Sequence, residues 1–170
     1  MKAPAGKAGG LELVYRKIGE LKRDPYNTRV HPPEQLAAMA ASMKEFGFTA
    51  PVLLDDADKV IAGHARLMTA EHLGMTEVPT IKLSGLSQAQ LRAYSIADNR
   101  TAELAKWDNR MLAAELAELR VDLPNLEVTG FSGEELARLL APPSFEDPRR
   151  VRGTTKITAT HKCPKCGHEF

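Results

Sequence analysis

Between Val60 and Gly74 the chain reads VIAGHARLMTAEHLG, an apolar run that passes through one glycine straight into a helix. That handover constrains the fold more than any other stretch. Val60–Ala62 is too short to be a helix and is rich in strand formers, so it reads as a strand. From about His64 the spacing turns helical and continues to Gly74, with Leu67 and Leu73 facing inward. Just upstream, Pro51–Leu54, an acidic turn and Val60–Ala62 form the pattern of a hairpin.

The remaining segments extend this alternation. LELVYRKI (Leu11–Ile18) predicts a strand, and RDPYNTRVHPP, with three prolines, predicts a loop. A helix follows, with Leu36, Met39, Ala40, Met43 and Phe46 on its core stripe and Gly47 as its stop. VPTIKL is the next strand. Ser87 and Gln90 stand in capping-box spacing before AQLRAYSIA, a further helix. Asp108 predicts the N-cap of NRMLAAELAELR, and Ser132 with Glu135 opens a short last helix. The expected organisation is a disordered start (1–10), a mixed α/β domain (11–107), a helical extension (108–140), a linker (141–158) and a cysteine-bearing tip (159–170). The fold class is mixed α+β, a small mixed sheet flanked by helices.

With 43% hydrophobic and 26% charged residues, the composition is that of an ordinary globular protein. No apolar run approaches the roughly 20 residues of a membrane span, and the start has no secretory signal, so the expected location is the cytoplasm. The net charge of +1 conceals an uneven distribution: residues 1–30 carry seven Lys/Arg against three acids, and residues 141–170 carry six against three. Basic ends around an acidic middle suit contact with a polyanion, or are simply solvated tails.

A helix leaves its first backbone N–H groups without intrahelical partners, and its dipole adds positive charge there. Gly63 lets the backbone turn and approach a ligand without a Cβ, while His64 and Arg66 supply donors for phosphate oxygens. The plain alternatives are Arg66 paired with an acid on the helix surface and His64 as a capping residue.

The blocks NTR (Asn27–Arg29), LAAMAASMKEFGFTAPVLLD, VIAGHARLMTAEHLGMTEVPTI and IADNR, in that order, resemble the N-terminal domain of ParB-type proteins, part of the superfamily shared with sulfiredoxin. The resemblance covers about residues 11–107. It is nearest to phage- and plasmid-type ParB-like domains described as nucleases and found with DNA methyltransferases. It implies a nucleoside triphosphate with magnesium at the Gly-x-x-Arg turn, with Gly63 and Arg66 at its outer positions. In chromosome-partition relatives that turn reads Gly-Glu-Arg-Arg and takes CTP. His64 and Ala65 replace the inner pair here, so CTP itself and its hydrolysis do not follow from the resemblance. Asp98 and Asn99 match the family's Glu-Asn motif in the metal and triphosphate region, with Arg100 next to them, and Asn27 and Arg29 lie in a loop that faces this region in relatives. The catalytic cysteine of sulfiredoxin has no counterpart at this turn. A helix-turn-helix of the partition kind is not expected, because about a dozen residues separate the helices after Asp108 where that motif takes a turn of ~3–4.

HKCPKCGH places Cys163 and Cys166 at zinc-knuckle spacing, with His161 and His168 flanking them. One chain can supply all four ligands, a second chain or partner can complete the set, or the pair can be a redox Cys-x-x-Cys. The expected partners are therefore DNA and a nucleotide, with a DNA methyltransferase or other phage or plasmid protein and a second copy of the chain as further ones. A metal-dependent nuclease or nucleotide hydrolase stands beside a non-catalytic adaptor as the functional alternative.

Overall fold

A computed structural model describes residues 11–141 of the chain. The elements are β1 (Leu13–Lys17), α1 (Pro33–Phe46), β2 (Val52–Leu54), β3 (Val60–Ala62), α2 (His64–His72), β4 (Glu77–Lys82), α3 (Gln88–Leu104), α4 (Asn109–Asp122) and α5 (Gly133–Leu139). Single 3-10 turns occupy Ile18–Glu20 and Leu126–Thr129. The cysteine tip, with His161, Cys163, Cys166 and His168, lies outside the described residues.

The four strands form one mixed sheet in the order β1-β4-β2-β3. β2 and β3 are the expected antiparallel hairpin, β2 and β4 run parallel, and β1 closes the edge antiparallel to β4. A parallel neighbour needs a crossover, and α2 supplies it between β3 and β4. The core forms where Val52, Leu54, Val60 and Val78 of the sheet meet Leu67 and Ala70 of α2, with Ile18, Leu21 and Phe48 packed around them. α1 then packs on α2, and α3 on β3.

Local capping sets most boundaries. Ser87–Gln90 and Ser132–Glu135 both form complete capping boxes, and the Asp108 carboxylate accepts from the amides of Arg110 and Met111. α3, however, runs to Leu104, well beyond the predicted AQLRAYSIA, so Asp98, Asn99 and Arg100 lie within a helix. The 3-10 turn packs Leu126 between Leu116 of α4 and Leu136 of α5 and also meets α1, which seats the helical extension on the domain.

Phe46 is a correction. It was expected in the core, but it is 52% exposed, while Phe48 packs inward. The cause is the stop itself: Gly47 adopts φ +77, which ends α1 at Phe46 and redirects the chain so that the second aromatic faces the sheet. The strand at β1 is also shorter than Leu11–Ile18, because Ile18 opens the 3-10 turn.

Leu67→Ala should cost about 2–5 kcal/mol of unfolding free energy, the range for removing a fully buried leucine. Phe46→Ala should stay within about 0.5 kcal/mol, as for surface positions. Urea denaturation of both variants beside the parent checks the pair.

Candidate functional site

The β3–α2 handover lines one side of a cavity of about 290 Å³. Gly63 is the N-cap of α2 with φ +95 and ψ 22, and no side chain caps the helix. The free amides of the first turn therefore keep their partial positive charge. A Cβ on Gly63 would lie 3.3 Å from both Nε and Nη2 of Arg66 and 3.4 Å from the backbone of Val52. Arg66 thus folds back over the glycine, and its Nη1 donates to the carbonyl of Ala50 at 3.2 Å.

Arg66 is half-buried. Burial is the main influence on its guanidinium and lowers its pKa, while Asp98 and Tyr94 act the other way. The group nonetheless stays cationic, as arginine does in proteins. The Tyr94 phenol is shifted up, first by burial and then by the Asp98 carboxylate beside it.

The opposite wall comes from the loop after β1. Asn27 accepts from the amide of Arg29 and donates to its carbonyl, both at 3.2 Å, which fixes a tight turn. From there Arg29 reaches α3, donating to Asn99 Oδ1 at 3.2 Å and pairing with Glu103 at 3.1 Å. Asn99 in turn donates to the carbonyl of Ser95 at 2.8 Å. At the mouth of α1, His31 Nδ1 lies 3.0 Å from Gln35 Oε1.

The structure brings Asn27, Arg29, Gly63, His64, Arg66, Asp98 and Asn99 to this one cavity. Arg100 does not line it; its guanidinium pairs with Glu103 at 3.2 Å on the same helix. His31, Gln35 and Met39 also line the cavity and were not singled out. Met39 falls on the expected core stripe of α1, and helical spacing alone cannot separate a core wall from a cavity wall. The Pro32-Pro33 start that aims His31 and Gln35 was the available signal.

Half-buried His64 has its pKa lowered chiefly by burial; Asp24 is the largest charge acting on it and raises it, while His31 and Arg23 lower it. Its Nε2 atom is enclosed and has no hydrogen-bond partner. Among the described residues no group of three or more His, Cys, Asp or Glu could hold a metal ion. Magnesium demands octahedral oxygen coordination. The cavity offers one carboxylate, Asp98, next to Arg66, and an Asn99 oxygen already taken by Arg29. The residues present do not by themselves make a magnesium site. None of the described helices is long and apolar enough to cross a membrane.

Residues 6–100 match the family model of the ParB N-terminal domain, and residues 110–159 match that of the ParB-methyltransferase HTH domain. The second match is to an HTH family of the ParB-methyltransferase kind, whereas the spacing argument weighed only against the partition kind. The interval between α4 and α5 is not an open loop, since its 3-10 turn and Leu126 join the two helices in one small core. The chain is 49% identical over 80 residues to the ParB-like nuclease domain-containing protein YnaK of Escherichia coli strain K12, covering 47% of this chain and 92% of that protein. It is 33% identical over 129 residues to a probable plasmid-partitioning protein ParB of Thermus thermophilus, covering 74% of this chain and 41% of that one. The chain therefore spans less than half the length of that partitioning relative. Among solved structures, a C-terminally truncated chromosome-partitioning protein ParB of Caulobacter crescentus, complexed with CTP-gamma-S, shares the fold with a TM-score of 0.63 at 20% identity, over 76% of this chain and 77% of that one.

Gly63→Ala should lower stability by about 1–2 kcal/mol, the cost of holding a Cβ in the left-handed region. Arg66 must also move. A thermal melt in which this variant matches the parent would contradict the geometry at the turn.

Proposed function

The chain belongs to the family of the ParB N-terminal domain, and from that premise we propose that its cavity holds the phosphates of a nucleoside triphosphate and so governs how the chain engages DNA. The observation that carries this reading is the convergence of Arg29, Arg66 and the uncapped start of α2 on one cavity. Amides at the helix start would cradle one phosphate, and Arg66, already lying over Gly63, would bridge to the next. Arg29 would exchange its contacts with Asn99 and Glu103 for phosphate oxygens. That exchange ties occupancy to α3 and hence to the helices that follow it.

Support for nucleotide and DNA comes from the relatives: a fold neighbour was solved with a CTP analogue, and residues 110–159 match an HTH family. The methyltransferase in that family's description favours a second reading, in which the chain is a non-catalytic adaptor acting on DNA beside such an enzyme. Phage or plasmid origin, a cytoplasmic location and self-association to a homodimer belong to the proposal. The cavity presents a single carboxylate rather than a set of metal ligands, which favours binding over nuclease chemistry there. The tip, with Cys163 and Cys166 and the flanking His161 and His168, is proposed as a zinc knuckle that aids docking.

Thermal shift with the four ribonucleoside triphosphates, with and without magnesium, should single out at least one stabilising nucleotide. Arg66→Ala should weaken its binding by about tenfold or more, as expected for a lost charge-assisted pair. No shift with any nucleotide, together with unchanged DNA retention by Arg66→Ala, would remove the reading. Incubation with plasmid DNA and magnesium separates nuclease from adaptor by whether the DNA is cut. For the tip, purified full-length protein should carry about one zinc per chain; metal-free protein with both thiols freely alkylated would dismiss the knuckle.

A further inference from the structure

The cavity is poor in metal ligands and rich in groups that carry or accept positive charge. Arg29 and Arg66 are the fixed cations; each already faces an acid, Glu103 for the first and Asp98 for the second. Two imidazoles, His31 and His64, share the same walls. His31 holds Gln35, whereas the Nε2 of His64 is enclosed with no partner at all. His64 is also the first residue of α2 and lines the cavity, so an anion seated at that helix start would be its neighbour.

We propose that His64 takes up a proton from solvent when a phosphate-bearing ligand enters the cavity, so that the imidazolium meets charge for which the cavity has no set of metal ligands. This rests on the reading of the cavity as a phosphate site. Without ligand, the ring is kept neutral by its burial and by nearby positive charge, from Arg23 in the loop after β1 and His31 at the start of α1. Asp24 of the same loop is the strongest single charge on the ring and favours the cation, and Arg23 is also paired with Glu71 of α2, so burial is the main cause of the neutral state. Arg66 on the same helix and Arg29 on the opposite wall add two cations, and Asp98 on α3 supplies one carboxylate against them. A phosphate adds negative charge beside the ring and raises its pKa. Between the lowered value without ligand and the raised value with it, binding and protonation proceed together. Affinity is highest at the acidic end of that window and falls as pH rises through it.

The test is isothermal titration of inorganic triphosphate into the full-length protein, in EDTA and again with magnesium, from pH 6.5 to 8. Buffers of different ionisation enthalpy count the protons taken up. The parent should absorb up to about one proton per site more than His64→Gln, and its affinity should fall by up to about tenfold per pH unit relative to that variant. His31→Gln should keep most of the uptake. His64→Lys, a fixed cation, should bind with no extra proton, and it serves should the glutamine variant fail to fold. Equal proton uptake by the parent and His64→Gln, with binding intact, overturns the proposal and leaves the phosphate reading standing. Binding that requires magnesium and takes up no proton overturns it too. No binding of triphosphate to the parent at any pH removes the phosphate reading, and the proposal with it.

Discussion

Where β3 hands over to α2, the backbone of Gly63 stands at φ +95, and any side chain there would meet the Arg66 guanidinium at 3.3 Å. Those two facts make one constraint. The left-handed turn lets α2 start immediately after the strand, so its free amides open toward the cavity rather than into the sheet. The missing Cβ leaves the space in which Arg66 lies. Because α2 also provides Leu67 and Ala70 to the core, the position of the helix start is held by the main packing of the domain. The site inherits the rigidity of the core.

The second wall depends on a longer reach. Arg29 belongs to a loop whose shape is set by Asn27, yet its partners Asn99 and Glu103 lie some 70 residues further along, on α3. α3 shows most of its surface and fully buries only Leu91 among its side chains, although it packs on β3 and brings Asp98 toward Arg66. The pair with Glu103 is largely solvent-exposed, and pairs of that kind contribute about 0–1 kcal/mol. It orients the arginine without locking it.

Much of this was legible in the sequence because the signals are local. A capping box needs residues three apart, and Ser87–Gln90, Ser132–Glu135 and the Asp108 cap read directly from the chain. The hairpin and the Gly63 junction are equally local. Phe46 and Phe48 are not: both are apolar and two residues apart, and only the turn at Gly47 decides which faces the sheet. The length of α3 escaped because ADNRTAEL lacks the apolar spacing that marks a packed helix face. Met39 escaped because its helical spacing fits a core wall and a cavity wall equally. The packing of α4 and α5 into one unit depends on Leu126, which sits in a stretch with turn-like composition.

The two arginines prepare the cavity in different ways. Arg66 is half-buried, tied to the Ala50 carbonyl and faced by Asp98, so much of its water is lost when the domain folds rather than when a ligand arrives. Its hydrogen bond to a neutral carbonyl has one ionised partner, where a bond to phosphate would have two and be stronger. Arg29 remains wetter and must leave Asn99 and Glu103 to reach a ligand. A phosphate would therefore meet one cation already in place and draw the other across the cavity. The first of these favours affinity, because little reorganises. The second would cost Arg29 its contacts with Asn99 and Glu103 on α3.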